Sequence, residues 1–175
     1  MTDSGSLSQL QTISIALQAL AAGIILVLFS NISFHTFGYG FGLSFIPIFA
    51  LMYWPKNASR SWSLFFVFLM GVLQAAMSFT PLGLLAFCYL ILFVVLGGEM
   101  TFSNRLAPAW GSYITCILFI GTLMYFVGSL VIGQWPNLIP IFTDAVASTI
   151  VFPMLFWLRK LISDFGPESE RREIV

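Results

Sequence analysis

Asp144 is the acidic residue placed deepest within an apolar stretch of this chain, and its surroundings frame the chemistry that is open to it. It falls five or six residues inside the run near 138–158, about 8 Å along a helix. A carboxyl at that depth is costly, so it is expected either to couple to an ion or to satisfy a hydrogen bond between helices. Ser148, one turn on, is a candidate partner, and no Lys or Arg occurs within another apolar run to pair with it. Gln74 is a second polar residue inside an apolar stretch, where it would bond a neighbouring helix or line a cavity. His35 is the only histidine, so neither a metal site nor acid–base catalysis has a second imidazole to build on. Cys88 and Cys116 lie in apolar runs without a Cys-x-x-Cys spacing, which suits small packing residues. No Gly-x-Ser-x-Gly, His-Glu-x-x-His or phosphate-cradling glycine loop is present. The expectation is a protein that is not an enzyme, with no cofactor and no metal.

Small residues at four-residue spacing speak to packing instead. Ala19-x-x-x-Gly23 and Gly71-x-x-x-Ala75 each form a narrow strip, and Ser78 extends the second by a turn. Such strips let helices approach closely in lipid, where packing drives association. Spacing alone leaves open whether they meet the chain's own helices or a partner's. The candidate contact residues are therefore Gly71, Ala75, Ser78 and Gln74 on one face, and Asp144 with Ser148 on another.

The elements that must hold these residues follow from composition. Hydrophobic residues make up 59% of the 175 and charged residues 8%, too little polar surface to cover a water-soluble globule. Seven Lys+Arg balance seven Asp+Glu, which leaves no basic face for nucleic acid. The reading is an all-α polytopic membrane protein of six transmembrane helices. The spans fall near 12–30, 39–54, 61–78, 81–97, 109–132 and 138–158, within one domain, 1–162, followed by a short polar tail, 163–175. The break at 31–40 is rich in Gly, Ser and Asn, with span two starting among Gly38, Gly40 and Gly42. Thr80 is expected to cap span four, with Pro81 in its first turn. Span one has no basic leader and no small-x-small cleavage site, which suits a retained helix.

Charge gives an orientation. With six spans, Lys56, Arg60, Arg105, Arg159, Lys160, Arg171 and Arg172 all fall on the side of the two termini, and the opposite loops carry no charge. Chance would segregate all seven roughly once in 60 trials, and the positive side is cytoplasmic. Both termini are therefore expected in the cytoplasm. Trp54, Trp62, Trp110 and Trp157 fall at that interface, and Tyr39 and Trp135 at the other.

Specific blocks resemble a known family. Pro47-Ile-Phe-Ala-Leu-Met-Tyr53-Trp54 is followed by a short basic loop, then Phe68-Leu-Met-Gly71-Val-Leu, then Pro81-Leu82-Gly83. Near the end, Pro153-x-x-x-x-Leu158-Arg159-Lys160 closes the last span. Over about 43–97 and 140–165 this order and spacing is similar to the rod shape-determining protein MreD family. Many members carry an Asp where this chain has Ala75, and an Arg where it has Ile46. The resemblance implies a six-helix fold like the substrate-binding subunit of energy-coupling-factor transporters. It implies a place in the bacterial inner membrane, within the cell-elongation machinery. The implied partners are an MreC-like bitopic protein, the actin-like MreB filament, and the pair of SEDS glycosyltransferase and class B penicillin-binding protein. The implied function is a scaffold or regulator of wall elongation. The alternative from another class is a vitamin-like small-molecule binding subunit of a transporter, motivated by the implied fold together with Gln74 and Asp144.

Overall fold

The computed structural model describes residues 4–31, 34–36, 39–55, 59–78, 80–96, 105–135 and 137–164. The described chain is helical apart from one small hairpin. In order it runs α1 (Ser4–Ser30), β1 (Phe34–Thr36), β2 (Tyr39–Phe41), α2 (Ile48–Met52), α3 (Arg60–Met77), α4 (Leu84–Leu96), α5 (Leu106–Ile132) and α6 (Leu138–Asp164). Four of the helices, α1, α3, α5 and α6, are long and apolar enough to cross a membrane. Their outer faces are apolar: Leu130 on α5 is 83% exposed and Met154 on α6 is 73% exposed. Large aliphatic side chains that open to their surroundings suit a lipid solvent, as in a multi-pass membrane protein.

Two helix boundaries depart from the sequence expectation. The span expected near 39–54 is a plunging segment that ends in a five-residue helix. Before it, β1 and β2 pair antiparallel, with Phe34 opposite Phe41, His35 opposite Gly40 and Thr36 opposite Tyr39. His35, within the break expected at 31–40, is thus a strand residue. Glycine costs a helix about 1 kcal/mol per residue relative to alanine, while aromatic and β-branched residues favour a ladder. From Leu43 onward the chain winds through i→i+3 bonds: Ile46 N–H to Leu43 O (3.0 Å), Ile48 N–H to Phe45 O (3.1 Å) and Phe49 N–H to Ile46 O (2.9 Å). Pro47 is the N-cap of α2, at φ −61° and ψ −18°, and Pro55 lies just beyond it. Between two residues without an N–H donor, only a short helix fits.

The second departure is at α4. Thr80 and Pro81 stand outside the helix, which begins at Leu84. Gly83 has φ +98° and interrupts the right-handed run, so Pro81, Leu82 and Gly83 form a turn. The resulting α4 has 13 residues, about 20 Å. Helices α3 and α5 lie close to expectation, while α1 begins eight residues earlier than the span read from the sequence and α6 runs six residues further. Helix α5 stops at Gly133, φ 72°, in the left-handed conformation common at helix ends. Asn137 caps α6 by accepting the Ile139 N–H at 3.0 Å. Helix α6 continues through Arg159 and Lys160 to Asp164, and most of the polar tail lies outside the described residues.

The long helices pack as an open arc, α1 on α3, α3 on α4, α4 on α5 and α5 on α6, and the segment through α2 fills the interior. Val27, Phe45, Ile48, Met70, Cys88, Leu92, Tyr113, Cys116, Ile120 and Phe152 belong to one buried cluster. The tightest seam is α3 on α4: a Cβ placed on Gly71 would lie 2.4 Å from Ala86 Cα. Ala75, one turn on, is fully buried on the same helix. Gly71 and Ala75 are therefore used within the chain.

Candidate functional site

The polar residues inside the bundle converge on the plunging segment, 42–47. From α6, Asp144 accepts two hydrogen bonds: Gly42 N–H donates to Oδ1 (2.8 Å) and the Ser44 hydroxyl to Oδ2 (2.5 Å). From α3, Gln74 Nε2 donates to Ser44 O at 2.7 Å. From α4, the Tyr89 hydroxyl donates to Gln74 Oε1. From α5, the Tyr113 hydroxyl donates to Phe45 O at 3.1 Å. Three helices thus bond directly, and α4 through Gln74, a stretch of backbone whose polar groups are not all paired by regular secondary structure. Each such group left open in an apolar interior would cost several kcal/mol, so these side chains supply the partners that helix geometry does not.

Close approach fixes the residue type at Gly42. A Cβ there would stand 2.8 Å from Asp144 Oδ2 and 3.0 Å from Oδ1, so any side chain would push the carboxyl off its donors. Gln74 is 1% exposed, and both ends of its amide are satisfied. Its backbone carbonyl accepts from Ser78, both from the hydroxyl and from the N–H at 2.9 Å, which closes the end of α3. Of the two readings of Gln74, the structure has it bonded between elements. Asp144 is also bonded between elements, but not to Ser148. The Ser148 hydroxyl is fully buried and has no hydrogen-bond partner among the described residues. The loop donors reach the carboxyl first, because the segment at 42–44 runs directly against α6.

The same segment is fastened at its other end. The Arg159 guanidinium lies 3.9 Å from the centroid of the Tyr53 ring. Trp54 donates its indole N–H to Ser63 Oγ of α3 at 2.8 Å and meets Phe93 of α4 edge-on at 5.9 Å. Midway, Phe152 of α6 stacks on Tyr113 at 4.4 Å and meets Phe49 at 5.7 Å. Lys160, next to Arg159, lies 5.3 Å from the Trp157 ring.

Pro153 has a local consequence. It sits inside α6 and has no N–H, so the carbonyl four residues back, on Thr149, lacks its helical donor. The Trp110 indole of α5 supplies one, Nε1 to Thr149 O at 3.1 Å. The α5–α6 contact is in this way tied to the proline.

Sequence reasoning picked out Asp144 and Gln74 but missed Gly42, Ser44, Tyr89, Tyr113 and Trp110. A signal existed for the tyrosines. A phenol buried in an apolar run must find an acceptor, and Tyr89 and Tyr113 both lie in such runs. Ser44 and Gly42 carried no comparable mark. The arrangement works as a fastening: its donors and acceptors satisfy one another and hold residues 42–54 along α6. In comparisons with protein-family models, with curated proteins and with solved structures, nothing matches this chain.

Proposed function

We propose that this chain is a six-span, MreD-like membrane scaffold of the bacterial cell-elongation complex. The observation that carries the reading is where the two resembling blocks meet. One block holds Pro47, Tyr53 and Trp54, with Pro81 and Gly83 further on, and the other holds Pro153, Arg159 and Lys160. They are far apart in sequence, yet Arg159 rests on Tyr53 and Asp144 bonds Gly42 and Ser44. Residues of the resemblance thus build one interface inside the molecule.

Geometry supports the six crossings. Asp144 and Arg159 are separated by 15 residues of α6, about 22 Å of helix. Gly42 meets the first and Tyr53 the second, so the segment 42–53 runs alongside α6 between them. On this reading the segment beside α6 is the second crossing. Helix α4, with its entry turn at 81–83, is the fourth. On that count the basic residues gather on one side, and both termini lie in the cytoplasm of an inner-membrane protein. A scaffold of this kind engages an MreC-like bitopic protein, and through it the MreB filament and the wall synthases. A small-molecule binding subunit would need polar groups free to meet a ligand, and those of the Asp144 cluster already bond one another.

Depletion in a rod-shaped bacterium without a second copy tests the reading. Cells are expected to round within a few generations and to recover when the gene is restored. Cells that stay rod-shaped after complete depletion would overturn it. Co-purification of the bitopic partner with the intact chain is the biochemical counterpart.

A further inference from the structure

The arc of helices is open between its two ends, α1 and α6, and there the surface forms a groove of about 810 Å³. Ile25 and Phe29 of α1 make one wall, Ala147, Val151 and Leu155 of α6 the other, and Ile46 of the plunging segment lies among the lining residues. Along α6 the lining runs from Phe142 to Leu158, about 24 Å. Apart from Thr143 its lining side chains are apolar, which suits a hydrocarbon chain.

Charge marks one end of it. Arg159 stands one turn beyond Leu155, on the same stripe of α6 as Val151 and Leu155, and Lys160 is its neighbour. Both are exposed, each lies against an aromatic ring, and neither forms an ion pair with a carboxylate among the described residues. A guanidinium held over the Tyr53 ring keeps its N–H edge available to an anion, and guanidinium geometry matches phosphate. We propose that the α1–α6 groove seats an acyl chain of an anionic phospholipid, with its phosphate met by Arg159 and Lys160. This is a retained lipid with a headgroup preference, distinct from the bulk lipid around the helices. It rests only on the helices lying in a bilayer, and not on the scaffold role.

The test uses the full chain, stripped of lipid in detergent and incubated with dioleoylphosphatidylglycerol or dioleoylphosphatidylcholine, with bound lipid counted by native mass spectrometry. The wild type is expected to retain phosphatidylglycerol over phosphatidylcholine by roughly 30-fold, about fivefold for each cation near a phosphate. The Arg159→Gln/Lys160→Gln double variant should lose that preference and bind both lipids equally. Ala147→Phe, which fills the groove, should lose both lipids at least tenfold. Helical circular dichroism and a monomeric elution volume qualify each variant, and Val151→Phe replaces Ala147→Phe if that one misfolds. Three results would overturn the proposal: equal retention of the two lipids by the wild type, an unchanged preference in the double variant, or unchanged retention in both groove-filling variants. A stable dimer that excludes lipid and is broken by Ala147→Phe would assign the groove to a second copy instead. Cell rounding on depletion is indifferent to these outcomes, so the two readings fail separately.

Discussion

Two strips with the same spacing of small residues have different fates in this molecule. On α3, Gly71 lies so close to α4 that an added Cβ would reach the Ala86 backbone at 2.4 Å. On α1, a Cβ on Gly23 would meet the Met70 sulfur at 2.5 Å, the flexible end of a side chain that can turn aside. The α3–α4 seam is closed by backbone and reinforced by the Tyr89–Gln74 bond. Helix α1 leans on α3 through a methionine and leaves its other flank open as the groove. A small-x-x-x-small spacing licenses close approach, but what stands opposite determines whether the approach is rigid or adaptable.

This contrast is tested first at its strongest point. Gly71→Val is expected to destabilise by about 3 kcal/mol, because backbone and not a rotamer must yield. Denaturant titration in mixed micelles, followed by tryptophan fluorescence, reads the change, and a shift under 1 kcal/mol would mean the seam can open. Asp144→Ala should cost about 2 kcal/mol, since Gly42 N–H and the Ser44 hydroxyl both lose their acceptor. Asp144→Asn keeps one acceptor for Gly42 and should cost about half as much. If the two substitutions proved equal, the carboxyl would not be serving two donors.

The proline contact gives a smaller and sharper effect. Trp110→Phe should cost about 1 kcal/mol by stripping the donor from Thr149 O. In a Pro153→Ala background the restored N–H satisfies that carbonyl, so the same change should cost under half as much. Additive costs across this cycle would break the link between Trp110 and Pro153. Smallest is Gly23→Ala, at no more than about 0.5 kcal/mol, because Met70 can change rotamer. A loss comparable to that of Gly71→Val would erase the distinction between the two strips.

Much of the helical layout was legible in the residues. Apolar runs free of Lys and Arg located α1, α3, α5 and α6, and Gly133 and Asn137 marked the turn between the last two. Two elements were not legible at their true length. Residues 39–54 are apolar enough to read as a helix, but Gly40, Gly42 and Pro47 favour a hairpin and a stretched turn once three helices offer hydrogen-bond partners. At 81–83 the sequence resembled a helix start, and the positive φ of Gly83 made it a turn.

For the candidate site the division is similar. A carboxyl and an amide within apolar runs had to find partners, and that much follows from Asp144 and Gln74 by residue type alone. Which partners they found depended on chain path. Ser148, four residues from Asp144, is the nearer group in sequence, yet Ser44, a hundred residues away, holds the carboxyl. Hydropathy and charge act on each segment separately, so they can be read from the sequence. A hydrogen bond needs atoms within about 3 Å, and only the packing of α6 against the plunging segment brought these atoms together.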